Sequence, residues 1–334
     1  MLMKKKQLAI IGLGGQSRSE LIPAILKLHS KCKIVAICDI NEEFVDLTKK
    51  LISNDNRVIV YKDYKDLFNQ VGKKGKLTLD GIVLSVPHFL HGEIVKLAIK
   101  KGIPVFKEKP FGINLKEARE ISNLALKEDV QLYTVTKRQF YPSYAMGLQL
   151  LHKRVIGTPY MYSARHFMPN GNLYDGWRST VQSAGGGVLI DLGYHLLDVI
   201  LRYFGEISQA NLHWTNVAKS HYTYEVEDAA ILHNWHPIGI QGVLQLAALS
   251  GPKEEAIEIR GTEGRMIVTK IDITVYDVAG EKKDHYVFEN DSINAVIKAL
   301  EEFFLNSKSI WSQNITHNMK IMRAITMAYG KRFK

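Results

Sequence analysis

Up to about residue 135, short apolar runs alternate with amphipathic segments of helical periodicity. Uninterrupted apolar runs are typical of strands buried on both faces, and helices that connect such strands make the strands parallel. The runs that predict strands are Gln7–Ile11, Lys33–Cys38, Val58–Tyr61, Gly81–Ser85, Pro104–Phe106 and Gln131–Val135. The segments that predict helices are Ser17–Leu28, Asn41–Leu51, Tyr64–Val71, His91–Lys100 and Leu115–Lys127. Because crossovers between parallel strands are right-handed, this order predicts a doubly wound sheet.

Beyond Lys137 the pattern changes, because strand-like runs follow one another with turn residues between them. Such runs are typical of an antiparallel sheet, and helices on one face of it make an α+β domain. The predicted strands are Tyr160–His166, Gln209–Asn216, Asp228–Trp235, Gly239–Ala247, Ala256–Arg260, Arg265–Thr269 and Ile273–Val278. The predicted helices are Ser143–Lys153, Val188–Phe204 and Asn314–Gly330.

The predicted fold class is therefore α/β, with two domains. Residues 1–136 form a doubly wound parallel sheet of the Rossmann type, and residues 137–334 form an α+β domain with a large, mostly antiparallel open sheet. The C-terminal helix could pack back on the first domain. We expect the two domains to adjoin and leave a cleft.

Composition excludes several classes of protein. The 334 residues are 46% hydrophobic and 23% charged, which is typical of folded globular domains. The formal net charge is +10, but the basic residues are dispersed and lack interleaved aromatics, so neither nucleic acid nor a membrane is expected as a partner. The positive net charge is compatible with a small anionic substrate, and this alternative stays open. Cys32 and Cys38 are too few for a disulfide framework and predict reduced thiols in a cytoplasmic protein. The apolar run Leu8–Leu13 is too short for a signal peptide or a membrane span.

A glycine-rich turn follows the first predicted strand. Glycine lets the backbone turn sharply and approach a pyrophosphate, which the amides at the next helix N-terminus can hold. Asp39, at the end of the second strand, can accept hydrogen bonds from the ribose hydroxyls and would repel a 2′-phosphate, so NAD is favoured over NADP. Ser17 replaces the third small residue of the pattern and predicts looser packing of helix on strand. The cofactor-binding residues predicted here are Gly12, Gly14, Gly15, Gln16, Ser17 and Asp39.

Two further strand ends carry polar residues. The fourth strand runs into Ser85–His91, and the fifth runs into Phe106–Pro110. Ligands of open α/β sheets bind at the carboxyl edge, where both segments lie. Lys109, beside a proline-fixed turn, could therefore bind a substrate oxygen.

A pair of polar residues interrupts the long apolar helix predicted in the second domain. Asp191 and His195 are four residues apart, so they share a face and the carboxylate can keep the imidazole basic. Such a histidine is suited to act as a general base on an alcohol. Asp198 extends the same stripe, so metal binding by these three residues is an alternative. The nearby His233 and His236 are predicted to be structural histidines.

With these motifs in place, the whole chain resembles the Gfo/Idh/MocA family, which includes glucose-fructose oxidoreductase and inositol dehydrogenase. The features that carry the resemblance are the glycine turn with Asp39, Glu108-Lys109-Pro110, Trp177-Arg178, Gly185-Gly186-Gly187 followed by Asp191 and His195, Glu258–Gly264 and the C-terminal helix. In the segment Thr136–Pro142, Arg138 also matches. The resemblance implies a Rossmann domain followed by a domain whose open sheet forms subunit contacts.

The resemblance also implies roles for individual residues. Lys109 would bind the reacting oxygen, His195 would be the acid/base, and Asp191 would orient it. Arg138 would join these three in contacting the substrate. Further contacts to the cofactor would come from Ser85, Pro87, His91, Glu108, Lys109, Trp177 and Arg178.

The function expected from the sequence is that of an NAD-dependent oxidoreductase. It would transfer a hydride between nicotinamide and a secondary hydroxyl or keto carbon of a sugar, polyol or sugar derivative. Two alternatives stay open: a redox-neutral lyase or glycosidase that uses bound NAD, and a non-catalytic NAD-binding regulator. A homodimer or homotetramer formed through the C-terminal sheet is expected.

Overall fold

The computed structural model describes residues 4–53, 55–72, 77–169, 175–218, 223–249 and 251–330. The chain forms two compact units. The first comprises Met1–Lys137 and Ser292–Thr316, and the second comprises Arg138–Asp291 and His317–Lys334. The sequence analysis placed one boundary after residue 136 and assigned the later residues to the second domain, with the C-terminal helix able to pack back on the first. In the structure, the later segment that joins the first unit is Ser292–Thr316.

The first unit contains a parallel sheet of six strands. The strands are β1 (Lys6–Ile11), β2 (Cys32–Cys38), β3 (Ile59–Tyr61), β4 (Gly81–Leu84), β5 (Val105–Lys107) and β6 (Leu132–Thr134). Their spatial order is β3-β2-β1-β4-β5-β6, so the strand order reverses between β1 and β4. The predicted doubly wound sheet is confirmed. Its ligand edge is therefore expected where the carboxyl ends of β1 and β4 lie side by side.

Helices connect these strands, and three of them begin directly after a polar side chain that caps the first turn. The helices are α1 (Ile22–Lys27), preceded by a π-helical turn at Ser17–Leu21, then α2 (Glu42–Leu51), α3 (Tyr64–Asn69), α4 (His88–Lys100) and α5 (Leu115–Lys127). Asn41, Asp63 and Asn114 each accept a hydrogen bond from a backbone amide in the first turn of the helix that follows. Such caps satisfy amides that the helix itself leaves unpaired.

The second unit contains a sheet of eight strands in the order β14-β13-β12-β11-β7-β10-β9-β8. The strands are β7 (Pro159–Met168), β8 (Gln209–Thr215), β9 (Ala229–Trp235), β10 (Gln241–Ala248), β11 (Glu254–Gly261), β12 (Gly264–Thr269), β13 (Asp272–Asp277) and β14 (Lys282–Val287). Among the described strands of this sheet, only β7 and β10 pair in parallel, so the predicted mostly antiparallel sheet is confirmed. The prediction lacked β14, an edge strand that is exposed along nearly its whole length and has no buried apolar face to mark it.

The remaining helices complete both units. They are α6 (Pro142–His152), α7 (Val181–Ala184), α8 (Tyr194–Phe204), which a π-helical turn at Leu189–Gly193 precedes, α9 (Ser292–Leu305) and α10 (Lys308–Tyr329). The sequence analysis did not predict α9, which lies in the first unit and packs Phe303 against Phe106 of β5, with ring centroids 5.4 Å apart. By length and composition alone, Val181–Phe204 could cross a membrane, but 83% of its apolar window is buried inside the protein.

Candidate functional site

The glycines after β1 serve two different purposes. Gly12 has a φ of +88°, and a Cβ there would lie 2.1 Å from the carbonyl oxygen of Ser85. Packing and backbone conformation therefore both require glycine at this position. A Cβ on Gly14 or Gly15 would meet no protein atom within 4 Å. Since the fold itself leaves this space open, a ligand can approach the backbone there, beside the N-terminus of the helix that follows.

The two polar residues after the glycines are held by side-chain hydrogen bonds. Ser17 is fully buried, and its hydroxyl donates to the Gly12 carbonyl over 2.5 Å. The hydroxyl of Ser17 thereby closes the turn, and the looser packing of helix on strand stays a prediction. Gln16 donates through Nε2 to Glu20 over 2.8 Å and to Glu108 over 3.3 Å. Glu108 is itself buried at the end of β5, so these two predicted cofactor residues connect two strand ends of the sheet.

Asp39 stands at the end of β2, where the sequence placed it, and two backbone amides orient its carboxylate. The Leu13 amide donates to Oδ2 over 2.6 Å, and the Asn41 amide donates to Oδ1 over 2.8 Å. A carboxylate has about four acceptor positions, so the group can still accept hydrogen bonds from a ligand. The glycine turn and Asp39 are thus joined directly, which fits a dinucleotide-binding edge.

The residues predicted at the end of β4 differ in their exposure. His91 is 1% exposed, and its Nε2 donates to the Val86 carbonyl over 2.9 Å. Burial holds the pKa of His91 well below its usual value, so the ring is neutral at physiological pH. Its observed contact holds the turn that contains Pro87, at the start of α4. Ser85 places its backbone against Gly12.

Two lysines near the end of β5 have different surroundings. Lys107 is fully buried, and its ammonium group donates to the carbonyls of Pro110 and Phe111. Burial lowers the pKa of Lys107 to about 7. Lys109, two residues on, is partly exposed. The sequence analysis did not consider Lys107, although a lysine inside an apolar strand run was a signal, because a buried lysine must have polar partners.

In the second unit, Asp191 and His195 are the only residues from Gly186 to Leu201 that are not buried. Asp191 lies within the π-helical turn Leu189–Gly193, and His195 lies in the first turn of α8. A four-residue step differs from a full turn by roughly 40° in an α-helix and about as much in a π-helix, so both side chains point to the same side. An otherwise buried helix therefore presents two polar groups to one side.

The triple glycine before this helix is explained by packing. A Cβ on Gly187 would lie 2.0 Å from the Glu227 carbonyl oxygen, and one on Gly186 would lie 2.1 Å from the Tyr329 hydroxyl. The buried Glu227 carboxylate accepts hydrogen bonds from the Leu189 amide over 3.1 Å and from Tyr329 over 2.5 Å. The glycines therefore let the start of the helix approach its capping carboxylate.

Asp198 does not extend the exposed stripe. It is 1% exposed and accepts hydrogen bonds from Arg202 over 3.0 Å and from His317 over 2.7 Å. Burial by itself would raise the pKa of Asp198, but these two partners outweigh it and lower the pKa. The alternative of a metal held by Asp191, His195 and Asp198 is therefore wrong for Asp198. Within the described ranges, no group of three or more His, Cys, Asp or Glu residues could hold a metal ion.

The remaining predicted residues of the second unit make contacts of their own. Arg138 is buried in a two-pronged ion pair with Glu255, which the sequence analysis missed. The guanidinium of Arg178 lies 4.2 Å from the ring centroid of Trp177, and both side chains are partly exposed. His236 is a structural histidine as predicted, because its ring contacts the Tyr162 hydroxyl and the Glu206 carbonyl.

Two family models match separate parts of the chain. Residues 6–136 match the model described as "Oxidoreductase family, NAD-binding Rossmann fold", and residues 147–267 match the "GFO/IDH/MocA C-terminal domain". The chain belongs to the Gfo/Idh/MocA oxidoreductase family. The resemblance inferred from the motifs is therefore confirmed, and the first unit is an NAD-binding Rossmann domain.

One relative in the Gfo/Idh/MocA family is a distant one. An inositol 2-dehydrogenase/D-chiro-inositol 3-dehydrogenase of Lactiplantibacillus plantarum is 27% identical over 187 residues, which cover 55% of this chain and 51% of that protein. The chain thus spans about half the length of this curated relative.

Solved structures match over nearly the whole chain. An oxidoreductase from Thermotoga maritima has a TM-score of 0.83 at 19% identity, covering 98% of this chain and 96% of that one. The WlbA dehydrogenase from Bordetella pertussis, solved with NADH and UDP-GlcNAcA, has a TM-score of 0.80 at 17% identity with the same coverage. At these identities the likeness shows the fold.

Proposed function

We propose that this chain is an NAD-dependent dehydrogenase that acts on a secondary hydroxyl, or the matching keto carbon, of a sugar, polyol or sugar derivative. The observation that carries the proposal is the exposure of Asp191 and His195 on a helix that is otherwise buried from Gly186 to Leu201. A polar pair kept accessible on a core helix costs apolar burial, which a reactive role would explain. Membership of an oxidoreductase family with sugar and inositol dehydrogenases supports the substrate class.

The residues at the carboxyl edge of the parallel sheet fit a bound dinucleotide cofactor. The open space beside Gly14 and Gly15 would take the pyrophosphate, and the fixed carboxylate of Asp39 would accept the ribose hydroxyls. We propose NAD as the preferred form, because a 2′-phosphate would stand against that carboxylate. When bound, nicotinamide supplies the hydride acceptor or donor.

In the proposed reaction, His195 removes the proton of the substrate hydroxyl during oxidation and returns it during reduction. Asp191 favours the protonated imidazole and so makes His195 a better base. Lys109 stabilises negative charge on the reacting oxygen, a contribution of several kcal/mol at a preorganised site. These assignments follow from the family resemblance and from the partial exposure of all three side chains.

The test is NADH formation with sugars, polyols and their acids and phosphates. For an oxidised substrate, we expect His195→Ala to lower kcat/KM about 10²- to 10⁴-fold and to lose the acidic limb of the pH profile. Asp191→Asn should keep that limb but shift it to lower pH. An unchanged acidic limb in His195→Ala would remove His195 as the base. His152→Ala, an exposed histidine at the end of α6, is the matched control.

We also propose that the chain is cytoplasmic and assembles as a homodimer or homotetramer through the open sheet. Ile231 on β9 and Met161 on β7 are 51% and 39% exposed, which supports a partner on that face. Light scattering of the wild type and of Ile231→Asp tests this. A monomeric wild type would contradict it.

A further inference from the structure

A buried group of charged and polar side chains lies in the second unit, outside the residues assigned to the reaction. Arg138 donates through Nε and a terminal nitrogen to the two oxygens of Glu255, over 3.0 and 2.6 Å. The Tyr144 hydroxyl donates to the same carboxylate over 2.7 Å. Arg138 and Glu255 are 8% and 9% exposed, and Tyr144 is 2% exposed. The pair is therefore an internally neutralised charge rather than a free cation for an anionic substrate.

His166 on β7 lies between this ion pair and the helix that carries Asp191 and His195. Its Nδ1 is 3.3 Å from the carbonyl oxygen of Leu192, which belongs to the π-helical turn. Its ring centroid is 6.2 Å from that of His195, with the rings tilted by 48°. On the other side, Nε2 is 3.6 Å from Glu255 and has no hydrogen bond.

The two nitrogens of His166 thus face two oxygen acceptors, and a neutral imidazole can donate to only one of them. Since the Leu192 carbonyl can only accept, its hydrogen bond requires the proton on Nδ1. Arg138 neutralises Glu255 and so weakens the pull of that carboxylate on a proton at Nε2. Burial lowers the pKa of His166, with Glu255 opposing this and Arg138 and Lys253 adding to it, which keeps the ring neutral.

We propose that His166 is a positioning residue for His195 and that the Arg138–Glu255 pair acts through it. With the proton on Nδ1, His166 holds the carbonyl of Leu192 and places its ring against His195. Arg138 then supports the reaction by keeping this tautomer, without touching a substrate. The inference rests on the proposed function in taking His195 as the proton-transferring group.

The test compares two variants that differ in where an amide donor lies. His166→Asn places an N–H near the position of Nδ1, whereas His166→Gln places it near Nε2. Histidine imidazoles of ¹⁵N-labelled protein are followed by NMR through a pH titration, with the His195 signals identified by their absence in His195→Ala. We expect the His195 midpoint to stay within about 0.2 pH unit of wild type in His166→Asn and to shift by about 0.5 unit or more in His166→Gln. Equal midpoints in wild type and both variants, or equal shifts in both variants, would overturn the proposal.

The variant Arg138→Met tests the role of the ion pair independently of the substitutions at His166. In this variant, we expect His166 to carry its proton on Nε2 or on both nitrogens, and the ¹⁵N chemical shifts distinguish these states. We also expect the titration midpoint of His195 to shift as it does in His166→Gln. A His166 still protonated on Nδ1 alone would overturn the role given to Arg138. If Arg138→Met does not fold, Glu255→Gln takes its place. Loss of the carboxylate should lower the titration midpoint of His166, and an unchanged midpoint would refute the coupling.

Turnover separates this inference from the proposed function. On an oxidised substrate, His166→Gln should lower kcat about tenfold with an unchanged NAD dissociation constant, and His166→Asn should recover most of it. If no substrate is oxidised while the NMR midpoints respond as expected, the proposed function fails and the coupling stands. If turnover is found but the midpoints are equal, the coupling alone fails.

Discussion

Gly12 and Gly14 belong to one motif, but substitution by alanine should lower stability at Gly12 and weaken cofactor binding at Gly14. In Gly12→Ala, the new Cβ would lie 2.1 Å from the Ser85 carbonyl oxygen and 2.8 Å from a side-chain carbon of Val86, at a φ of +88°. The backbone cannot easily yield, because the Ser85 amide donates to Ile11 over 2.9 Å and thereby ties the ends of β4 and β1 together. Only a separation of the two strand ends relieves the overlap.

The magnitude follows from two costs. A left-handed conformation costs a non-glycine residue about 1 kcal/mol or more, and overpacking costs about 1–3 kcal/mol. Together they predict a loss of about 3 kcal/mol from the free energy of unfolding. At roughly 2–4 °C for each kcal/mol, the midpoint of thermal unfolding should fall by at least about 6 °C. Gly14→Ala meets no atom within 4 Å and should leave stability within about 0.5 kcal/mol.

The assay combines thermal unfolding without ligand and NAD binding by titration calorimetry on both variants. Gly14→Ala should weaken NAD binding by about tenfold or more, because its methyl group occupies the proposed approach to the pyrophosphate. A Gly12→Ala variant as stable as wild type would refute the geometry of the turn. A Gly14→Ala variant that binds NAD as tightly as wild type would show that the cofactor lies elsewhere.

Three further predictions concern charged residues. Asp39→Ala should weaken NAD binding and improve the relative affinity for NADP; a wild type that prefers NADP would show that Asp39 does not set the choice. Lys109→Ala should lower turnover about 10²-fold or more with the NAD dissociation constant within a few-fold, whereas the exposed Lys101→Ala should change neither. Burial alone would raise the pKa of Glu255, but Arg138 outweighs it and lowers the pKa to about 2. The Arg138–Glu255 pair should therefore contribute stability that is present above about pH 4.5 and is lost as pH falls toward 2. Between pH 6 and pH 3, the free energy of unfolding measured with denaturant should fall more in wild type than in Glu255→Gln.

The sequence was sufficient for the layout of the first unit. Most of its strands are buried runs, although the predicted burial is wrong for the edge strand β3, where Ile59 and Val60 are exposed. Apolar runs and helical periodicity are local features, so the order of elements limited the fold to a parallel doubly wound sheet. Asp39 could be placed for the same reason, since it directly follows a predicted strand. The polar pair Asp191 and His195 was visible because both interrupt an apolar helix. The roles of these residues stay predictions.

Tertiary structure decided what depends on residues distant in the sequence. Arg138 matched a family motif, but its partner Glu255 lies 117 residues away, and no local pattern records that pairing. The same holds for Gly12 and Gly187, whose need for glycine comes from Ser85 and Glu227. Helix α9 lies in the first unit although it follows the whole second sheet in sequence. Periodicity and composition indicate backbone conformation and burial, because both are local properties of the sequence. The pairing of buried surfaces and charges is determined only by the tertiary fold, which brings distant residues together.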